Sequence, residues 1–232
     1  MNGAERLCLA LDVPTAASAE SWVRRTQGAF SVYKIGLQLF LAEGPTVVER
    51  VIAAGAANVF LDLKLHDIPR TVARAVTSLS SLGVRYLTLH TAGGREMLSA
   101  AAEAAGPAGI QLLGVTVLTS LDDTALNETG VSESSQACVL RRGRLALDSG
   151  VDGLVCSALE VGDLRRTLGS KCTLVTPGIR LSGGAVGDQK RVATPAAAVA
   201  AGASLLVIGR AVTAAVDADA AVRAIQADLR DG

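Results

Sequence analysis

Three charged residues crowd into one short stretch of the chain: Asp62, Lys64 and Asp67, within Asp62-Leu63-Lys64-Leu65-His66-Asp67-Ile68-Pro69. The stretch closes the apolar run Asn58-Val59-Phe60-Leu61, which reads as a β-strand. Strand side chains alternate with period 2, so Asp62 and Lys64 are expected on one face. A strand covered on both faces should be plainly hydrophobic. Burying a carboxylate and an ammonium there costs several kcal/mol per ion unless they are paired. A structural salt bridge at a strand end is one account of the pair. Composition adds a chemical one. The chain has four lysines (Lys34, Lys64, Lys171, Lys190) and eighteen arginines. Arg keeps its proton at neutral pH, whereas Lys can release one. In a chain that otherwise uses Arg, Lys64 inside an apolar strand is a candidate proton donor.

The elements that must position it follow from short apolar runs recurring between amphipathic stretches. Strands are expected at Arg6–Val13, Val32–Leu37, Asn58–Leu65, Tyr86–Thr91, Gln111–Leu118, Gly153–Ser157, Cys172–Ile179 and Leu205–Gly209. Helices are expected over Thr15–Gly28, Pro45–Ala54, from Pro69 onward, Arg95–Ala105, Ser134–Asp148, from Thr194-Pro195 onward, and Val212–Leu229. Strands alternating with helices in this way predict one (β/α)8 barrel over residues 1–232. A doubly wound open sheet is the alternative, but no Gly-x-Gly-x-x-Gly follows the first strand, where a dinucleotide-binding turn would sit.

A barrel carries its chemistry at the C-terminal ends of its strands, and polar residues fall there repeatedly. They are Asp12, Lys34, the Asp62–Lys64–Asp67 set, His90, Thr116, Thr119, the Pro177-Gly178-Ile179-Arg180 run and Gly209-Arg210. Together they predict a polar ligand site at one rim. Ile208-Gly209-Arg210 passes from the last strand into a helix, where backbone N–H groups, the helix N-terminus and a guanidinium suit an anion. The segment from Arg180 to Gln189 holds three glycines, suits a mobile lid, and offers Arg180 and Gln189 to the same anion. The expected ligand is a sugar phosphate or mononucleotide.

Bulk properties exclude other classes. Formal net charge is zero and half of the residues are hydrophobic, with basic residues too dispersed for a nucleic-acid footprint. The cluster Arg141-Arg142-Gly143-Arg144 reads as a solvated helix face. No apolar run approaches the roughly 18 residues needed to span a bilayer. The N-terminus lacks the charged and apolar regions of a signal peptide, so a cytoplasmic protein is expected. Cys8, Cys138, Cys156 and Cys172 show no metal-ligand spacing and are expected to be reduced and inert.

With these motifs in hand, the sequence resembles the orotidine 5′-phosphate decarboxylases. The likeness runs nearly end to end: Leu-Ala-Leu-Asp12, Tyr-Lys34-Ile-Gly, Asp62-Leu-Lys64-Leu-His-Asp67-Ile-Pro, Val-Thr-Val-Leu-Thr119-Ser, Thr-Pro177-Gly-Ile-Arg180, Gly-Asp-Gln189-Lys-Arg and Val-Ile-Gly209-Arg210. The resemblance implies conversion of orotidine 5′-monophosphate to UMP and CO2, the last step of pyrimidine biosynthesis. It implies Lys64, Asp62 and Asp67 as the catalytic set. Asp12 and Lys34 would hold the ribose and Thr119 the pyrimidine. Gln189, Gly209 and Arg210 would hold the phosphate, with Arg180 nearby. Ile68 and Pro177 would be further substrate contacts, and Asp67 and Thr71 would come from the partner subunit of a homodimer. Arg70 stands where the family is expected to carry a small polar residue.

Losing CO2 from C6 of orotate leaves a carbanion with no adjacent π system, and many decarboxylases meet that problem with a cofactor acting as electron sink. Here no cofactor and no metal is expected. Lys64 as an ammonium could stabilise the developing charge and then protonate C6, with Asp62 and Asp67 favouring its charged form. Three alternatives share some of these residues. Metal-dependent hexulose-phosphate synthases and ketogulonate-phosphate decarboxylases share Asp-x-Lys-x-x-Asp, but Lys34 occupies the place where they are expected to put a carboxylate for Mg²⁺. A phosphate-binding barrel without catalysis has no need of a proton donor. A Schiff-base lysine needs its pKa lowered, and Asp62 would raise it.

Overall fold

The computed structural model describes residues 3–181 and 193–231. Eight parallel strands close into a barrel in chain order, each paired with its sequence neighbours and the last with the first. They are β1 (Leu7–Ala10), β2 (Val32–Gly36), β3 (Val59–Leu65), β4 (Val84–His90), β5 (Gln111–Val115), β6 (Gly153–Val155), β7 (Thr173–Thr176) and β8 (Leu205–Ile208). Every expected strand is present and the open-sheet alternative is excluded by closure. Apart from β4, which begins two residues early at Val84, the strands are shorter than the apolar runs that announced them. Cys172–Ile179, for example, contracts to Thr173–Thr176, because the chain leaves the ladder at the rim to form loops.

The connecting helices are α1 (Ala16–Thr26), α2 (Leu37–Glu43), α3 (Thr46–Ala53), α4 (Pro69–Ser78), α5 (Gly94–Ala105), α6 (Asp123–Glu128), α7 (Ser135–Asp148), α8 (Val161–Leu168), α9 (Pro195–Ala200), α10 (Arg210–Thr213) and α11 (Ala218–Asp231). Their starts have local causes. The hydroxyls of Thr15, Ser134 and Thr194 accept the first free backbone N–H groups of α1, α7 and α9, and Pro opens α4 and α9 where its missing N–H costs nothing. Periodicity assigns no residues to α2, α6 or α8. It also runs the last helix unbroken over Val212–Leu229, whereas the chain breaks there. Asp217 turns its carboxylate back to accept from Ala220 N, which caps a new helix rather than continuing the old one.

Alternation along each strand divides the core in two. Inward side chains, among them Cys8, Ala10, Val32, Phe60, Leu113, Val175, Leu205 and Val207, fill the barrel. The outward set, including Leu7, Leu9, Ile35, Leu61, Leu87, Leu112, Leu154 and Leu206, packs beneath the helices. The barrel interior is therefore plugged at its lower end by apolar side chains, and only its upper mouth is open to chemistry. All four cysteines are buried and free. Burial pushes the Cys8 and Cys156 thiols well up and that of Cys172 to about 11, which keeps them as inert hydrophobes. Among the described residues, no helix is long and apolar enough to cross a membrane.

Candidate active site

A cleft of about 270 Å³ opens at the C-terminal mouth of the barrel. One wall is charged and comes from the first three strands: Asp12, Lys34, Asp62 and Lys64. The floor and opposite wall are apolar, with Phe60, Val115, Val155, Val175 and Val207. Thr119, Pro177, Gly178, Arg180, Gly209 and Arg210 complete the mouth.

The charged wall is one alternating series. Lys34 Nζ lies 3.1 Å from Asp12 Oδ1 and 3.5 Å from Asp62 Oδ2, and Lys64 Nζ lies 2.8 Å from Asp62 Oδ1. Burial opposes the charge on Lys34, but Asp62 and then Asp12 outweigh it and raise its pKa. Burial likewise opposes the Asp62 carboxylate, yet Lys34 and Lys64 hold its pKa below the ordinary range. Lys34 is thus the shared cation of two carboxylates, placed by β2 and given room by Gly36. A Cβ at Gly36 would sit 3.1 Å from Lys34 Nζ and 3.3 Å from Asp12 Oδ1, closer than side chains normally tolerate.

Asp62 and Lys64 do face one cleft, but not through a regular pleat. On β3 the pairing jumps from Leu61 opposite Leu87 to Leu65 opposite Leu89, so three β3 residues span the place of one on β4. Such a bulge re-aims side chains. Within it Lys64 has φ 51°, the sole non-glycine positive φ among the described residues, at a cost of about 1–2 kcal/mol. The turned-over Lys64 backbone N–H donates to Thr88 Oγ1 at 2.9 Å, and that hydroxyl donates to Asp62 Oδ1 at 3.0 Å. Thr88 was not among the residues singled out from the sequence. Its signal was positional: it sits between Tyr86 and His90 at the inward alternation of β4.

Of the residues expected at the site, Asp12, Lys34, Asp62, Lys64, Thr119, Pro177, Arg180, Gly209 and Arg210 share the cleft. Asp67, Ile68 and Thr71 do not line it. They are exposed at the entry to α4, where Asp67 Oδ1 accepts from the backbone N–H of Ile68 at 2.7 Å. Gln189 and the glycine-bearing segment expected to form a lid lie outside the described residues. Thr116 proves to be a satisfied core hydroxyl, buried and donating to Val155 O at 3.0 Å. His90 stands half-buried against His66, ring centroids 5.5 Å apart, and burial followed by His66 and Lys64 lowers its pKa. The basic cluster on α7 is only partly solvated: Arg141 and Arg144 are exposed, but Arg142 reaches inward to donate to Thr116 O at 2.8 Å. Arg210 opens a single helical turn, α10, and not the long final helix.

This geometry offers an ammonium held by a carboxylate at the edge of an apolar chamber, with two guanidinium groups at the mouth. Comparison with known proteins agrees with it over nearly the whole chain. Residues 5–225 match the family model described as orotidine 5′-phosphate decarboxylase / HUMPS family. The chain is 50% identical over 229 residues to an orotidine 5′-phosphate decarboxylase of Anaeromyxobacter sp. (strain K), covering 99% of this chain and 100% of that one. It is 51% identical over 226 residues to the enzyme of that name from Opitutus terrae, covering 97% and 98%. The crystal structure of orotidine 5′-phosphate decarboxylase from Lactobacillus acidophilus is similar, with TM-score 0.82, 34% identity and coverage of 97% and 99%.

Proposed function

The chain belongs to the orotidine 5′-phosphate decarboxylase / HUMPS family, and from that premise we infer that it converts orotidine 5′-monophosphate to UMP and CO2 without a cofactor. The observation that carries the reading is the Lys64–Asp62 pair at 2.8 Å on the edge of an apolar chamber. Cleavage of the C6–carboxylate bond leaves its electron pair on C6. Lys64 Nζ stabilises that charge and delivers the proton that converts the carbanion to the C6–H of UMP. The low-dielectric wall of valines strengthens the interaction. Asp62, held ionised by Lys34 and Lys64, keeps the ammonium aimed. Asp12 and Lys34 meet the ribose, and Thr119 the pyrimidine.

Gly209 and Arg210, with Arg180 beside them, take the phosphate at the mouth. A Cβ on Gly209 would meet only ordinary contacts, 3.5 Å from Ala10 and 3.7 Å from Asp12. The glycine therefore leaves space for a ligand and relieves no clash. Binding energy from the phosphate, remote from C6, is available to order the reacting end. Lys34 also distinguishes this reading from the metal-dependent relatives, because its ammonium already supplies the positive charge between Asp12 and Asp62. The test is loss of the orotate absorbance when the protein meets orotidine 5′-monophosphate in the presence of EDTA. No change in absorbance would overturn the assignment.

Asp67, Ile68 and Thr71 fit a homodimer in which each subunit completes its partner's site. Ile68 is 67% exposed, an apolar side chain set beside an exposed carboxylate at the rim. Mixing Lys64→Ala with Asp67→Ala under subunit exchange discriminates. If Asp67 acts across the interface, one site of each heterodimer is intact and activity returns. If it acts within its own chain, every site keeps one lesion and the mixture stays inactive.

A further inference from the structure

The strand that carries Asp62 and Lys64, β3, is tied to β4 by one side chain that touches neither the cleft nor solvent. Thr88 is fully buried on β4, and it sits opposite the bulge, between Leu87 paired with Leu61 and Leu89 paired with Leu65. The three β3 residues in the bulge have only this one residue facing them. The Lys64 N–H bonds instead to the Thr88 hydroxyl, at 2.9 Å.

The direction of every proton in this cluster follows from the groups. An amide N–H can only donate, so Thr88 Oγ1 accepts from Lys64. An ionised carboxylate can only accept, so Thr88 spends its single proton on Asp62 Oδ1 at 3.0 Å. The same Oδ1 receives the Lys64 ammonium at 2.8 Å. The hydrogen bonds form a ring that leaves Lys64 at its backbone nitrogen and returns at its Nζ. A hydroxyl suits the place: it accepts and donates at once within one small, buried volume. Its β-branch also limits the rotamers that could break the ring.

We propose that Thr88 is a positioning residue for the decarboxylation, whose hydroxyl holds Lys64 in its left-handed backbone conformation and Asp62 beneath the ammonium; this rests on the function inferred above. The residue acts through Lys64 and Asp62 and does not itself meet substrate. Without the hydroxyl, the Lys64 N–H and one bond to Asp62 are left unmatched in a buried place, and nothing on β4 retains the unfavourable backbone turn.

Wild type, Thr88→Val and Thr88→Ser separate this from packing, because the two roles predict opposite orders. Val keeps the volume and loses the hydroxyl; Ser keeps the hydroxyl and loses a methyl. Positioning predicts that Thr88→Val lowers kcat by roughly 10- to 100-fold, with KM near the wild-type value, while Thr88→Ser stays close to wild type. Thr88→Val at wild-type kcat, or Thr88→Ser impaired as much as Thr88→Val, overturns the proposal. Should Thr88→Val not fold, Thr88→Ala against Thr88→Ser carries the same contrast. An inactive wild type would sink the proposed function instead, and crystal structures then decide the positioning role by themselves. Thr88→Val is expected to lose the positive φ at Lys64 or the Nζ–Asp62 contact. Retention of both overturns the proposal whatever the turnover.

Discussion

The two ends of the cleft are built on different principles. At the β1–β4 end, Lys34, Asp62 and Lys64 stand on strands and Asp12 lies two residues past β1; these groups pair within 3.5 Å of one another and include a residue in a strained backbone conformation. At the β7–β8 end, Pro177, Gly178, Arg180, Gly209 and Arg210 come from the loops and the single turn that follow the strands. Arg180 bonds the carbonyl of its own neighbour, Ile179, and Arg210 is exposed. The contrast fits the roles that the proposed function gives each end. Under the proposed function, proton delivery to one carbon tolerates little misplacement, which suits groups fixed in advance by a hydrogen-bonded ladder and mutual charge. Capture of a phosphate needs reach and charge, which loops supply.

The largest effect should come from the rigid end. Lys64→Ala is expected to lower kcat on the order of 10⁴-fold or more, since under the proposed function it removes both the proton donor and the charge that stabilises the carbanion. UMP should still bind, as read by calorimetry, because the mouth is untouched. Substantial residual turnover would remove Lys64 from its role.

At the loop end the expected loss is smaller. Arg210→Ala should lower kcat/KM for the nucleotide by about 3 kcal/mol, a charge-assisted contact together with part of the ordering it drives. Its residual turnover of orotidine lacking the phosphate should match that of wild type. If orotidine is turned over nearly as well as the nucleotide, the division of labour between the two ends is wrong.

The charged wall should also show in stability. Lys34→Met leaves Asp12 and Asp62 without their shared cation, and an expected loss of about 2–4 kcal/mol would appear as a shifted urea midpoint. The pH dependence is smaller and signed. Asp62 titrates below the ordinary carboxylate range when folded, so its contribution is complete above about pH 5 and is lost as the pH falls through the folded value. Lys34 titrates above the ordinary lysine range, so its contribution is present below about pH 9 and is lost as the pH rises through the folded value. Urea titrations across pH should therefore give a steeper acid limb for wild type than for Asp62→Asn. Equal limbs would mean that Asp62 gains nothing from its partners.

The smallest effect tests the clearance around Lys34. Gly36→Ala should cost about 1 kcal/mol, as Lys34 Nζ and Asp12 shift by a few tenths of an ångström to admit the methyl. Thermal unfolding reads it directly, and an unchanged midpoint would show that the pair has slack.

Much of this molecule was legible in the chain itself. Eight apolar runs separated by amphipathic segments predict parallel strands covered by helices, and in a closed barrel their common direction puts Asp12, Lys34, Asp62 and Lys64 at one mouth. The excess of Arg over Lys marks Lys64 as a candidate proton donor, because residue chemistry is local information. What the tertiary structure alone decided is how those residues are held. Period 2 predicted that Asp62 and Lys64 share a face, and they do, but through a bulge and a positive φ that depend on what β4 offers across the ladder. Thr88 could not be read as their anchor, since a threonine in a strand is unremarkable until its partner is known. Thr116 looked like a site residue and serves the scaffold, while His90 stands against His66 and does not line the cleft, because one step along a strand or one rotamer separates the cleft from the ladder. Local patterns determine which groups the rim can contain. Only the pairing of strands distant in sequence determines which way each hydrogen bond points.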